Sequence, residues 1–97
     1  MTDTSAPAAA PAIEHAGNRF LVRVDGSQAH LSYRREGDVL VITHTVVPQT
    51  IGGRGIAGQL TRAAFEYAGA QAWSVRPVCP FAARWAGRHP EFAHMLG

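Results

Sequence analysis

The chain contains no lysine; every one of its nine strong cations is an arginine. A Walker-A P-loop, which needs a lysine, is therefore excluded. An arginine-only, alanine-rich composition is also what a GC-rich genome gives. There is a single cysteine, Cys79, so no intrachain disulfide can form. A lone thiol fits a reducing compartment, and a cytoplasmic location is the expectation. No apolar run approaches the ~20 residues that a membrane-spanning helix needs. The formal net charge is only +2 and the arginines are scattered, so a basic footprint for nucleic acid is weakly supported.

With 97 residues the chain has room for one domain with a modest core. Residues 1–16, MTDTSAPAAAPAIEHA, are poor in large apolar side chains and rich in Ala and Pro. They lack the cationic start and apolar block of a secretory signal, and they read as a flexible tail. The folded domain is expected over residues 17–97. NRFLVRV alternates Phe20, Val22 and Val24 with polar positions, AHLSYRR alternates Ala29, Leu31 and Tyr33, and VLVITHTVV is apolar on both faces. With the turn signals DGSQ and EGD between them, these segments predict a three-stranded antiparallel meander whose third strand is central.

Pro48 ends that third strand. GIAGQLTRAAFEYAGAQ then predicts a helix with Ile56, Leu60, Ala63 and Tyr67 on its buried stripe and an Arg62–Glu66 pair on its wet face. AWSVRPV predicts a fourth strand, PFAARWAGR a short helix started by Pro80, and HPEFAHML a last turn or two. The expected class is α+β, in the order β-β-β-α-β-α.

Between the central strand and the long helix lies GGRGIAGQL. Gly53, Gly55 and Gly58 satisfy G-x-G-x-x-G. A dinucleotide site would need a parallel βαβ unit and an acid about 20 residues on; the preceding strands form a meander and SVRPV has no acid. Two readings remain. The loop can be a tight strand–helix turn, or it can present successive N–H groups and a helix N-terminus to an anion such as a pyrophosphate.

The stretch VVPQTIGGRGIAGQLTRAAFEYA resembles motif A of the GNAT superfamily, the acetyl-CoA-dependent N-acetyltransferases. Its Arg/Gln-x-x-Gly-x-Gly/Ala pattern falls on residues 52–57: Gly55 and Ala57 match, and Gly52 stands where Arg or Gln is usual. The wider spacing of His44, Thr45, Val47, Pro48, Gly53, Gly55, Ile56, Ala57, Pro77, Cys79, Phe81 and the run His89-Pro90-Glu91-Phe92 is similar to small single-domain GNAT-like proteins of the YjdJ type. The resemblance implies a minimal GNAT fold with coenzyme A between the third and fourth strands. Its pyrophosphate would lie on the amides of residues 53–58. The cofactor-binding set it implies is Val46, Val47, Gly52, Gly53, Arg54, Gly55, Ile56, Ala57, Gly58 and Cys79.

Two side chains are candidates for the chemistry. Cys79 stands between two prolines at a helix start, a position that favours thiolate. The resemblance implies a catalytic cysteine there, as acyl acceptor or as acid for the departing thiol; a buried free cysteine filling space is the bland alternative. By strand alternation His44 shares a face with Leu40, Ile42 and Val46, where it is either a satisfied core histidine or a general base. Val46 occupies a position that is often acidic in similar proteins, so one candidate base is missing. His89, Trp85, Phe92, Trp73 and Tyr67 read as structural. His15, His30 and His94 have no ligand spacing among themselves or with Cys79, so no metal is expected.

Three functions follow. One is an acetyl-CoA-dependent N-acetyltransferase acting on a small or extended amine, as a monomer or weak homodimer. Another is a module that binds coenzyme A or acyl-CoA without transfer. An arginine-rich nucleic-acid binder is the least supported.

Overall fold

The computed structural model describes residues 12–97. Five strands form one sheet in chain order: β1 (Glu14–Ala16), β2 (Arg19–Val24), β3 (Ser27–Glu36), β4 (Val39–Val46) and β5 (Ser74–Pro77). Strands β1 to β4 are antiparallel neighbours, and β4 and β5 run parallel. Helix α1 (Ile56–Ala70) carries the chain from β4 to β5, and helix α2 (Pro80–Gly87) follows β5. A 3-10 segment, Pro90–Met95, ends the fold. The α+β order read from the sequence is present, with one strand more than expected.

That extra strand, β1, lies where a tail was expected to run as far as residue 16. Its anchor is His15. The imidazole stacks on Phe20 at 4.3 Å, meets the edge of Tyr67 at 4.4 Å, and its Nε2 lies 2.5 Å from the Tyr33 hydroxyl. Three aromatic contacts on one side chain offset the weak strand preference of Glu-His-Ala. The rest of the expected tail, residues 1–11, lies outside the described residues.

Alternation sends Phe20, Val22, Leu31, Tyr33, Leu40, Ile42 and Val75 to one sheet face, where both helices cover them. Helix α1 buries Ile56, Leu60, Ala64, Phe65 and Ala68 there, so its stripe follows i, i+4 steps; Ala63 and Tyr67 lie at its flank. Helix α2 adds Ala82, Trp85 and Ala86, and the Trp85 indole packs on Phe65 at 5.4 Å. Arg62 does not pair with Glu66. Its guanidinium lies over Trp85 and Phe92 and meets Glu91 at 3.5 Å, because α2 offers one ring and the docked 3-10 segment a second ring and a carboxylate.

Strand β4 breaks its own alternation. Ile42 stands opposite Tyr33 and His44 opposite Ser32, leaving Thr43 as the extra residue of a β-bulge. The Thr43 hydroxyl donates to the Ser32 carbonyl at 3.2 Å, which holds the kink. One inserted residue exchanges the faces of all that follow. His44 and Val46 therefore leave the face of Leu40 and Ile42, and Thr45, opposite buried Leu31, joins it. The expectation that His44 shares the apolar face is overturned by this bulge.

Leu60 is fully buried at the centre of α1. Leu60→Ala should destabilise the fold by about 3 kcal/mol, measured by urea denaturation; a loss below about 1 kcal/mol would mean that the site collapses and that α1 is not the main cover of the sheet.

Candidate active site

The two parallel strands stay paired only as far as Ile42 and Pro77. The Ile42 carbonyl then accepts two bonds, from the N–H groups of Val78 and Cys79, each at 3.0 Å. Beyond it β4 remains paired to β3 through His44, Thr45 and Val46, while β5 turns away into α2. The strands splay at the bulge, and the gap opens toward the glycine loop.

The loop begins with a short 3-10 turn, Gln49–Ile51, that plants Ile51 in the core. Gly53 and Gly55 then take φ of 78° and 76°, in the left-handed region that other residues enter only at a cost. These two turns swing the backbone so that α1 starts facing the gap. A cleft of about 260 Å³ results, lined by Val47, Gly52, Gly53, Gly55, Ile56, Ala57, Gly58 and Phe81. No side chain caps α1 and no acid stands in its first turn, so its leading N–H groups are unclaimed. An uncapped helix start beside an open glycine cradle suits an anion such as a pyrophosphate.

Cys79 lies at the other side of the gap. It is the N-cap of α2, buried with 7% of its surface exposed, and its Sγ is 3.6 Å from the Thr45 hydroxyl. Burial is the largest single influence on this thiol and pushes its pKa up. Against it act the backbone N–H of Ala82, the Thr45 hydroxyl, and the backbone N–H groups of Phe81 and Thr45. Together these outweigh burial, so the pKa falls below the ordinary thiol value and thiolate is favoured.

Of the cofactor residues expected from the sequence, Val47, Gly52, Gly53, Gly55, Ile56, Ala57 and Gly58 meet in the cleft. Arg54 is in the loop, but its guanidinium pairs with Asp25 of the β2–β3 turn at 2.6 Å. Val46 is turned to the opposite face with 47% of its surface exposed. His44 is exposed there too, its Nδ1 3.1 Å from the Thr43 hydroxyl. His89 is structural: its ring stacks on Trp85 at 3.8 Å and its Nδ1 lies 2.7 Å from the Trp85 carbonyl.

Two site residues were missed. Thr45 escapes any reading by alternation, because only the bulge turns it inward. Phe81 had a signal, since it stands two residues past Cys79 in the first turn of a Pro-initiated helix.

A family model described as GCN5-related N-acetyl-transferase matches residues 19–95, from the start of β2 to the end of the last 3-10 segment. The chain belongs to the GCN5-related N-acetyltransferase family. Among solved structures, the solution structure of a GCN5-like protein from Staphylococcus aureus matches this N-acetyltransferase fold with a TM-score of 0.74. The two share 23% identity over 92% of this chain and 90% of that one. No curated protein matches the chain in sequence. The splayed β4–β5 pair and the glycine loop lie within the span that the family model covers.

Thr45→Val removes one of the hydroxyl and N–H groups that lower the Cys79 pKa. Its Cys79 pKa should rise, so less thiolate is present at neutral pH, and the far-ultraviolet thiolate absorbance should titrate at higher pH than in the wild type. Thr45→Ser should restore the profile; identical titrations for all three proteins would remove Thr45 from the site.

Proposed function

We propose that this chain transfers an acetyl group from acetyl-CoA to an amine. One observation carries the reading: an uncapped, glycine-rich helix start lines a cleft beside a gap, and a thiol held toward thiolate stands across that gap. The backbone N–H groups at the start of α1 would hold the pyrophosphate, and Val47, Ile56 and Phe81 would flank the arm that leads to the thioester. Acetyl-CoA, when bound, supplies the activated acyl group.

Amine acylation needs a polarised carbonyl and a home for each proton. The N–H groups near Cys79 serve the first need, because they point at the place where negative charge sits on sulfur. Cys79 is the acyl acceptor in this reading. Its sulfur forms a thioester with the acetyl carbon, its proton going to the departing CoA thiol; the amine then takes the acetyl group and returns its proton to the Cys79 sulfur. A lowered pKa raises the fraction present as thiolate, the nucleophilic form, and lowers the fraction that carries a proton to donate, which favours this role over proton donation. A free reactive thiol also suits reducing, cytoplasmic surroundings.

Binding of coenzyme A without transfer is the second reading. It is favoured by the outward turn of His44, the one side-chain base expected here, onto the exposed face of the sheet.

Intact-mass measurement after incubation with acetyl-CoA, beside Cys79→Ala, separates these. One added acetyl group on the wild type alone is expected, with both proteins stabilised thermally by coenzyme A. Amine acetylation by both proteins, with no adduct on either, would remove Cys79 from the reaction. Thermal stabilisation without turnover on any amine would leave binding alone.

Gly55→Val tests the cradle: a β-branched residue at φ 76° is strained. Coenzyme A affinity should fall by roughly tenfold or more, since the strain reshapes the helix start that the anion needs. Unchanged affinity would place the pyrophosphate elsewhere.

A further inference from the structure

Both helices and the terminal 3-10 segment pack in one cluster on one face of the sheet. The opposite face carries Glu14 from β1, Arg19 and Arg23 from β2, His30, Arg34 and Glu36 from β3, His44 from β4 and Arg76 from β5. Four arginines against two glutamates give this face the whole of the chain's formal net charge of +2. The other five arginines of the chain are matched by five carboxylates.

The charge is uneven along the face. At the end near the β3–β4 turn, Glu36 pairs with Arg34 at 2.6 Å and with Arg76 at 3.3 Å. At the end where β4 leaves β5, Arg19, Ser32 and His44 stand in one row across three strands, and Glu14, Leu21, His30 and Val46 in the next, with Glu14 at the outer edge on β1. Among the described residues no carboxylate pairs with Arg19, His30 or His44. Burial, then Arg19, then His44 hold the His30 pKa below its ordinary value. Val46 and Val78 are exposed beside this patch.

The cleft approaches the gap between β4 and β5 from the helix and loop side. At the end of β4, His44 and Val46 face the other way, onto this exposed side of the sheet. We propose that the face is the docking surface for the acceptor, and that the acceptor is an acidic peptide that brings its amine to the end of β4 over Arg19, His30 and His44. This rests on the acetyl-transfer reading for the fate of the amine, though not for the docking. Nucleic acid fits less well, since the face presents no Phe, Tyr or Trp on which a base could stack.

The test uses the whole chain and a glutamate-rich nonapeptide with a free amino terminus, its lysine-for-glutamate counterpart, and a short single-stranded oligonucleotide. Amide shifts in an NMR titration report affinity and place. The acidic peptide should bind at least about tenfold tighter than the basic one at low salt, and weaken as salt rises. The shifts should centre on Arg19, His30, Ser32 and His44. Arg19→Gln with Arg23→Gln should abolish most of that preference. Arg84→Gln with Arg88→Gln, the same loss of charge on α2, should preserve it. Equal affinities, shifts centred elsewhere, or tighter binding of the oligonucleotide overturn the proposal. Acetylation assays run in parallel keep the two readings apart. Equal acetylation of both peptides sinks the acidic preference and leaves transfer standing. Tight docking of the acidic peptide without acetylation sinks transfer and leaves the surface standing.

Discussion

The Ile42 carbonyl is the hinge on which the site depends. It closes the last rung between β4 and β5 by accepting two N–H groups, and the next residue of β4, Thr43, is the bulge. A parallel pair that ran on would have buried the end of β4 in a ladder. A β4 without the bulge would have turned Thr45 to solvent and His44 toward the core. Pairing stops and phase changes at the same residue, so a gap opens with a hydroxyl and an N–H group facing into it. The Val78 and Cys79 amides, satisfied by that one carbonyl, also start the turn that brings the thiol to the far side of the gap.

The rest of the fold supplies rigidity around this point. Helix α1 covers the sheet and places its uncapped end at the gap, while α2 rests on α1 through Phe65 and Trp85. Among the described residues no side chain caps the start of α1, whereas the first-turn N–H groups of α2 at Phe81 and Ala82 act on the sulfur of its own N-cap, Cys79. Buried or semi-buried helix starts without caps are costly in a structural role. The start of α1 leaves its N–H groups open to the cleft beside the gap.

Much of this was legible in the sequence, and the reasons differ by element. Strands β2, β3 and β4 declare themselves by alternation, and α1 by its i, i+4 apolar steps. The glycine loop was readable because positive φ and free amides demand that residue type. Cys79 was readable from prolines that fix a helix start. What alternation cannot show is a change of phase. Thr43 looks like any β-branched strand residue, and so His44 was placed on the wrong face and Thr45 was passed over. The strand β1 was hidden for another reason: its stability comes from the partners of one histidine across the sheet, not from its own three residues. Arg62 was assigned to its helical neighbour because the rings that hold it belong to a segment nearly thirty residues on.

Gly58 ties the two helix starts together mechanically. A β-carbon placed there would lie 3.3 Å from the Trp85 indole nitrogen, so the helices meet with no slack at this position. The same residue lines the cleft. Whatever lifts the first turn of α1, even slightly, must therefore push on Trp85, and through that indole on the short helix whose first residue follows the thiol. The glycine-loop cleft and the sulfur are the two ends of one lever, with an indole as its fulcrum.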